Sequence, residues 1–185
     1  MSAERLRGLA PVAGRRVHTL ILGSMPGVAS LQVQEYYGHP RNAFWSAAEE
    51  LGIARELPYP RRCARLKHLG FALWDVIGEC ERSGSLDQAI RNPIVNDLIH
   101  FARERPALRR IWFNGHASAK HFERQLGGEF RVACPQILLR TLPSTSPAHT
   151  DPAKLEPWRA ALRDAALAAN DGVPPDRFLA RRFRS

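Results

Sequence analysis

Apolar positions along the chain form four short runs, and segments with helical spacing separate them. Each run has the length of a buried strand; together they cover Val17–Gly23, Phe71–Ile77, Arg110–Asn114 and Gln136–Leu142. Apolar residues at helical spacing predict helices over five segments, which are Ala43–Gly52, Arg61–Leu69, Pro93–Arg105, Ala117–Leu126 and Ala153–Ala169. Strands that alternate with helices predict an α/β fold with a parallel sheet covered on both faces. Right-handed crossovers then give a three-layer α/β/α sandwich with a central four-stranded parallel sheet.

Residue types at three helix ends sharpen these boundaries. Asn42 is an expected N-cap for the helix that begins at Ala43. Asp151-Pro152 has the order of an N-cap followed by proline in the first helical position. Gly127-Gly128 is expected to close the helix before the fourth strand.

The length predicts a single domain, followed by a basic tail. With 185 residues, the chain is large enough for one sizeable core, which we expect over residues 1–170. Residues 171–185 are polar and proline-rich and end in a basic segment, so they form either a disordered tail or a short basic arm.

Charge points to a polyanionic partner. The net charge is +9, the isoelectric point is near 10.5, and arginine dominates the basic residues. Arginine matches phosphate oxygens, so nucleic acid is the first candidate partner. An arginine-rich coding background would produce the same charge, and on charge alone the two interpretations weigh equally.

The rest of the composition predicts a cytoplasmic location. Three distant cysteines indicate neither a disulfide framework nor a metal site, and we expect them to be reduced and partly buried. No apolar run approaches a membrane span, and no secretory signal begins the chain.

Two motifs follow apolar runs, at the ends of the first and fourth predicted strands. The first is GSMPG over residues 23–27, followed by YYGHPRNAFW over residues 36–45. The second is LPSTSPAH over residues 142–149. Open parallel sheets bind their ligands at such strand ends. Together the motifs resemble the two active-site motifs of the uracil-DNA glycosylase superfamily, and in particular its hypoxanthine (deoxyinosine) DNA glycosylase branch. The resemblance spans about residues 17–165.

This resemblance implies a monofunctional DNA glycosylase, which flips a deaminated base out of the DNA and hydrolyses its bond to the sugar. Hypoxanthine is the first expected substrate, and uracil or xanthine the second. The implied partner is single- or double-stranded DNA, bound by a monomer associated with the bacterial nucleoid. No cofactor or metal is expected, and three cysteines are too few for the iron–sulfur cluster of some relatives.

The first motif supplies the implied catalytic residue and most of the base pocket. In relatives specific for mismatched uracil or thymine, its third residue is an Asn that positions water; this chain has Met25 there. In the hypoxanthine branch the catalytic Asn lies elsewhere, and the matching residue is Asn42. Tyr37, twelve residues after Met25, matches the ring that stacks on the base. Gly23, Ser24 and Pro26 complete this side of the pocket, through close backbone approach and main-chain N–H groups.

Other roles remain open for the residues of this motif. Asn42 as a helix cap is the ordinary alternative, and capping is compatible with positioning a water molecule. Tyr37 is alternatively an ordinary core or surface aromatic residue.

Two more strand ends contribute candidate site residues. Asp75 matches the position where the uracil enzymes have a base-reading Asn, and it donates to a base carbonyl only if protonated. A strand-end Asp that caps a turn is an equally weighted alternative. Asn114 is a pocket or loop-orienting candidate, and His116 is a phosphate-binding candidate that is alternatively structural.

The second motif matches the loop with which the superfamily enters the DNA minor groove. The resemblance makes its hydroxyl and ring side chains DNA contacts; they are Ser144, Thr145, Ser146, Pro147 and His149. Leu142 stands where the uracil enzymes have His or Asn, and Ser146 or Pro147 stands where they have a wedge leucine.

Two alternatives to the enzyme remain. One is a non-catalytic protein of the same fold that binds damaged or abasic DNA. The other is a Rossmann-like nucleotide enzyme. It ranks lower because the first motif lacks the glycine pattern with which such enzymes usually bind phosphate.

Overall fold

A computed structural model describes residues 5–149 and 151–170 of the chain. Its strands and helices, in chain order, are β1 (Arg5–Arg7), β2 (Thr19–Gly23), α1 (Val28–Val33), α2 (Phe44–Ala48), α3 (Tyr59–His68), β3 (Phe71–Asp75), β4 (Ile77–Glu81), β5 (Arg91–Val95), α4 (Leu98–Arg103), β6 (Arg110–Asn114), α5 (His116–Phe122), α6 (Gly128–Ala133), β7 (Leu138–Leu142) and α7 (Leu155–Asn170). A π-helical turn joins α5 to α6. The tail predicted for residues 171–185 lies outside the described residues.

The central sheet contains four parallel strands in the order β3-β2-β6-β7, as predicted. Its inner strands have continuous apolar centres, Leu20–Leu22 in β2 and Ile111–Phe113 in β6, because both of their faces are covered. The chain leaves β2 for β3 on one side and later enters β6 on the other side of β2. The direction of the strand order therefore reverses between β2 and β6, where open α/β sheets form their binding crevice.

Alternate side chains of the sheet face two separate cores. Ile21 and Trp112 pack with residues of α2, α3 and α7, among them the fully buried Trp158. Leu20 and Leu22 pack on the opposite face with residues of α4, α5 and α6. Helices therefore cover both faces of the sheet, and the predicted three-layer sandwich is confirmed.

A second sheet, which the apolar pattern did not predict, lies beside the first. Strands β1, β4 and β5 pair antiparallel in the order β1-β4-β5. The predicted strand Phe71–Ile77 is therefore divided, because β3 ends at Asp75 and β4 begins at Ile77 in the new sheet. A bond from the Val76 N–H to the Gly23 carbonyl, at 2.9 Å, holds the junction.

The predicted helix Pro93–Arg105 is wrong in its first part. Residues up to Val95 belong to β5, where pairing with β4 overrides the helical spacing. Helix α4 begins only at Leu98, after Asp97 accepts a hydrogen bond from the His100 N–H at 2.9 Å.

The predicted helix ends were partly correct. Asp151 accepts a hydrogen bond from the Ala153 N–H at 2.8 Å, as an N-cap does. Helix α2 begins at Phe44, one residue later than predicted. Gly127-Gly128 does not close a helix, since both residues keep right-handed helical angles and the chain continues into α6. A closing glycine would need the left-handed conformation.

No helix among the described residues is long and apolar enough to cross a membrane. Within residues 5–149 and 151–170, no group of three or more His, Cys, Asp or Glu side chains is placed to hold a metal ion. The three cysteines are free and buried, where partial burial was expected.

We expect Trp158→Ala to lower the free energy of unfolding by about 3–5 kcal/mol, because it empties the centre of one core. Trp158 is fully buried, and its Nε1–H donates to the Pro143 carbonyl at 2.8 Å. Urea denaturation measures the change. The control is Leu167→Ala on the same helix, where the side chain is 49% exposed and the expected change is within about 0.5 kcal/mol. Equal losses in the two variants would contradict this account of the core.

Candidate active site

The carboxyl ends of the four parallel strands place their last residues in one row. Gly23 pairs with Asp75 across β2 and β3, and Asn114 pairs with Leu142 across β6 and β7. Because β2 and β6 are also paired, the four positions are consecutive across the sheet. Both sequence motifs therefore begin at the same edge, as their positions after apolar runs predicted.

Gly23 makes room for the carboxyl group of its neighbour. A Cβ atom at Gly23 would lie 2.3 Å from Asp75 Oδ1, closer than nonbonded atoms approach. Glycine is therefore needed at this position because of a contact within the chain, between β2 and the Asp75 side chain. Any larger residue at position 23 would displace the Asp75 side chain.

Asp75 is a buried carboxyl group without a salt-bridge partner. Only 4% of the residue is exposed, and its Oδ2 atom has no hydrogen-bond partner among the described residues. Burial raises the pKa of Asp75 to about 8, the nearby Asp87 carboxylate adds to the rise, and Arg82 and the Tyr36 hydroxyl partly offset it. The group is therefore predominantly protonated at neutral pH, and it can donate as well as accept a hydrogen bond.

Tyr37 lies near this carboxyl group; its hydroxyl is buried, and the residue as a whole is half-buried. Its ring centroid is 4.3 Å from that of Phe44, with 33° between the planes. Burial raises the pKa of Tyr37, although the neighbouring Asn114 opposes the rise, so the hydroxyl stays protonated. Its backbone has φ of 57°, a left-handed conformation that non-glycine residues adopt rarely and that marks a constrained position.

Asn42 is half-buried, and its side chain starts helix α2. Its Oδ1 atom accepts a hydrogen bond from the Phe44 N–H at 3.0 Å, and its own N–H donates to the His39 carbonyl at 2.8 Å. The side chain makes no other hydrogen bond to the described residues. The N-cap position of α2 is Ala43 and not Asn42 as predicted, but the Asn42 side chain binds the first helical N–H from one residue earlier. One lone pair of Oδ1 remains open to a further donor.

Thr145 anchors the loop of the second motif. Its N–H donates to Asn114 Oδ1 at 2.8 Å, and its Oγ1 accepts a hydrogen bond from Asn114 Nδ2 at 2.8 Å. Its carbonyl accepts a hydrogen bond from the Ala43 N–H at 3.0 Å. Thr145 is fully buried, so its side chain is not exposed for the DNA contact predicted for it. Its bonds join the loop to the end of β6 and to the start of α2.

The remaining residues of this loop are more exposed and held by backbone contacts. Lys154 Nζ donates to the carbonyls of Ser146 and His149, the first at 3.0 Å. Ser144 packs so closely on Gly115 that a Cβ atom there would lie 2.9 Å from the Ser144 Cβ. Ser144, Ser146 and Pro147 are half-buried, and His149 is exposed, as is His116 at the start of α5.

The GSMPG segment is held from below by residues of the β4–β5 connection. The Ser24 hydroxyl donates to Asp87 Oδ1, and Arg82 Nη2 donates to the Pro26 carbonyl. The Met25 side chain turns away from the crevice and packs in the small core of the second sheet, at 6% exposure. The N–H groups of Ser24 and Met25 have no hydrogen-bond partner among the described residues.

Comparison with known proteins identifies the family. A curated hypoxanthine DNA glycosylase of Methanosarcina acetivorans is 34% identical in an alignment of 150 residues that covers 77% of this chain and 87% of the relative. One of Methanosarcina barkeri is 33% identical in an alignment of 131 residues that covers 68% of this chain and 82% of the relative. The chain belongs to the uracil-DNA glycosylase superfamily. Its resemblance to that superfamily is therefore confirmed, and both relatives carry the name of the expected branch.

A solved structure of the superfamily supports the same conclusion. A Methanosarcina acetivorans protein studied by solution NMR, described as a candidate uracil DNA glycosylase, superimposes with a TM-score of 0.74. It is 31% identical, and the match covers 88% of this chain and 99% of that protein. No family model matches the sequence. The chain is a DNA glycosylase, an enzyme that hydrolyses N-glycosyl bonds, and DNA is its substrate.

Three residues of the glycosylase site were missed by sequence reasoning. Arg82 and Asp87 lie on the unpredicted β4–β5 connection, so no pattern placed them near the first motif. Tyr36 was assigned no role, although its ring is 3% exposed and its hydroxyl donates to the Leu9 carbonyl at 3.0 Å, close to Asp75. The pair of adjacent tyrosines was the only sequence feature that pointed to this position, and a pair does not show which of the two rings is buried.

We expect Asp75→Asn to remove a pH dependence from the stability of this glycosylase. Between the ordinary pKa of 3.8 and the folded value of about 8, the unfolded chain has released a proton that the folded chain keeps. Stability from this group therefore falls as pH rises through that window and is constant above it. Urea denaturation at about pH 5, 7 and 9 measures the difference between variant and wild type. The difference should shift in favour of the variant as pH rises; parallel curves would contradict the buried neutral carboxyl.

Proposed function

We propose that this glycosylase excises hypoxanthine from DNA after flipping the nucleotide into the crevice at the carboxyl end of the sheet. The observation that carries the proposal is the Asp75 carboxyl group, buried at that edge with Oδ2 unpartnered. Unpaired buried polar atoms are costly, so a free hydrogen-bonding position at a strand end favours a ligand that completes it. Uracil and xanthine are the secondary substrates of the proposal.

A neutral carboxyl group matches the edge of hypoxanthine. That edge presents an N1–H donor next to the O6 acceptor. A protonated Asp75 accepts from N1–H with its carbonyl oxygen and donates to O6 with its hydroxyl, as a side-chain amide would. Uracil presents the same N–H and carbonyl pair, which places it next in preference. An ionised carboxylate would lose the donor and face the base carbonyl with a negative charge.

Tyr37 provides the stacking surface in this proposal. Phe44 supports one side of its ring, with the two ring centroids 4.3 Å apart, and Tyr37 as a whole is half-buried. A ring supported from behind stacks on a base with little loss of side-chain freedom, and stacking contributes about 1–3 kcal/mol per base. This contribution offsets part of the free energy needed to unstack the nucleotide.

Asn42 holds the attacking water. Its Oδ1 atom accepts the hydrogen bond from the Phe44 N–H on one lone pair and a hydrogen bond from the attacking water on the other. The water oxygen bonds to C1′ as the bond from C1′ to the base nitrogen breaks, and the base leaves with that electron pair. A water proton compensates the charge on the departing base. The unpartnered N–H groups of Ser24 and Met25 are donors for the negative charge that develops.

The partly exposed second-motif residues and His116 contact DNA phosphates. Three anchors position the loop: the Asn114–Thr145 pair, the bond from Ala43 to Thr145, and Lys154. Fixing the backbone beforehand reduces the ordering cost of binding. Single- or double-strand preference, monomeric state and a cytoplasmic, nucleoid-associated location stay predictions.

We expect Asn42→Ala to lower release of hypoxanthine from a labelled duplex by about 10²- to 10⁴-fold, with DNA affinity nearly unchanged. The alanine also loses the bond to Phe44 N–H, which we expect to cost about 1 kcal/mol of stability. Asn42→Asp is the matched control, because it keeps an acceptor for that N–H and for water. Alkaline cleavage of oligonucleotides that carry hypoxanthine, uracil or xanthine measures the release.

Three results of that assay have distinct meanings. Release of hypoxanthine that disappears in Asn42→Ala and partly returns in Asn42→Asp supports both substrate and residue. Release from uracil alone would move the substrate and keep the site. Binding without release from any of the three substrates would favour the non-catalytic DNA-binding alternative.

We expect the rate of hypoxanthine release to fall above about pH 8 in the wild type, because the Asp75 carboxyl then loses the proton that it donates to O6. Asp75→Asn should remain active and lack that decline, since an amide presents a donor and an acceptor and does not titrate. Single-turnover rates from about pH 6 to pH 10 measure both profiles. The same decline in the two proteins would assign the titration to another group.

A further inference from the structure

The connection between β4 and β5 carries an exposed leucine beside the site. Leu86 is 62% exposed, yet both of its sequence neighbours are bound to the segment that follows β2. Single exposed apolar side chains are common on protein surfaces. Exposure alone therefore gives Leu86 no function, whereas its location beside the strand ends and the bonds that hold its neighbours distinguish it from other exposed leucines.

Two hydrogen bonds hold the backbone around Leu86. Ser85 Oγ accepts from the Val28 N–H at 2.9 Å, and Asp87 Oδ1 accepts from the Ser24 hydroxyl. A Cβ atom at Gly27 would lie 3.4 Å from Ser85 Oγ, so the two segments touch. The leucine is therefore held on a supported turn with its side chain outward.

The turn lies at the edge of the proposed base pocket. Ser24 directly follows the strand end at Gly23, and Asp87 is close enough to influence the Asp75 carboxyl group. Val28, on the same supported unit, is 37% exposed. An apolar surface therefore borders the crevice on the side of β2 and β3.

The loop on the opposite side of the sheet has no exposed leucine: Pro143 and Ala148 are exposed and Pro147 is half-buried. By the resemblance, Ser146 or Pro147 stands where the uracil enzymes have a wedge leucine. A flipped nucleotide leaves a gap in the base stack, and proteins that unstack DNA fill such gaps with apolar side chains. A side chain is therefore needed to fill the gap in the base stack, but the second motif has no leucine for that role.

We propose that Leu86 is the residue that enters the DNA base stack and fills the space of the extruded nucleotide. The inference rests on the proposed function, since it requires that the base be flipped. The partner of this surface is double-stranded DNA, because single strands have no continuous stack to fill. Ser85 and Asp87 act as positioning residues for the inserted side chain.

The test compares Leu86→Ala with two other variants on one pair of substrates. Both substrates carry hypoxanthine next to 2-aminopurine, one as a duplex and one as a single strand. Leu167→Ala, the same change at a 49% exposed position late in α7, is the matched control. Pro147→Ala tests the competing wedge position. Single-turnover release and 2-aminopurine fluorescence, which rises as stacking is lost, are measured for every variant.

We expect Leu86→Ala to lower release from the duplex by roughly tenfold or more, with release from the single strand and thermal stability nearly unchanged. The rise in fluorescence on binding the duplex should decrease with it, and Leu167→Ala should match the wild type. Equal rates from the duplex in wild type and Leu86→Ala would overturn the inference. A selective loss from the duplex in Pro147→Ala alone would overturn it as well.

The fluorescence arm separates this inference from the proposed function. If the wild type releases no hypoxanthine but raises the fluorescence of the duplex more than Leu86→Ala does, the proposed activity is wrong and insertion of Leu86 is still supported. If the wild type raises no fluorescence, or Leu86→Ala raises it equally, the wedge fails whether or not the base is released.

Discussion

The buried carboxyl group of Asp75, which forms no salt bridge with the described residues, constrains the carboxyl end of the sheet. Asp75 occupies the space above position 23, so only glycine fits there. Its pKa near 8 keeps the group mostly neutral at neutral pH, which removes most of the cost of burying a charge. The same neutrality makes an acidic residue equivalent to an amide in hydrogen bonding. If Asp75 has the base-reading role that the resemblance implies, a protonated carboxyl group there keeps the hydrogen-bond donor that an Asn would supply.

Backbone-directed hydrogen bonds hold the site's loops in place. The side-chain amide of Asn114 binds Thr145 through both its nitrogen and its oxygen. The Thr145 carbonyl in turn accepts a hydrogen bond from the Ala43 N–H at the start of α2. The proposed catalytic Asn42 and the proposed DNA-binding loop are therefore parts of one connected unit. Trp158 extends that unit to the core through the Pro143 carbonyl. Substitutions in this network would move several functional groups at once.

The antiparallel sheet gives the first motif its support. Met25 is absorbed into the small core under that sheet, and Arg82 binds the Pro26 carbonyl from the same side. Met25 therefore acts as a hydrophobic anchor for the motif. In the proposed mechanism, the catalytic chemistry is assigned to side chains of other segments, namely Asn42, Tyr37 and Asp75. The exposed Leu86 belongs to the same supporting element, so its position follows from the hairpin that holds the motif.

The sequence by itself determined the parallel sheet, its two covering layers and the edge at which both motifs meet. These features follow from local pattern, because buried strands read as continuous apolar runs and parallel strands end at a common edge. Tertiary structure alone decided the second sheet, where pairing of β5 with β4 overrode helical spacing around Pro93. It also brought Arg82 and Asp87 under the first motif and set the protonation of Asp75. The local sequence pattern predicts none of these features. The pairing of an edge strand and the free energy of a buried charge both depend on residues that are distant in the chain.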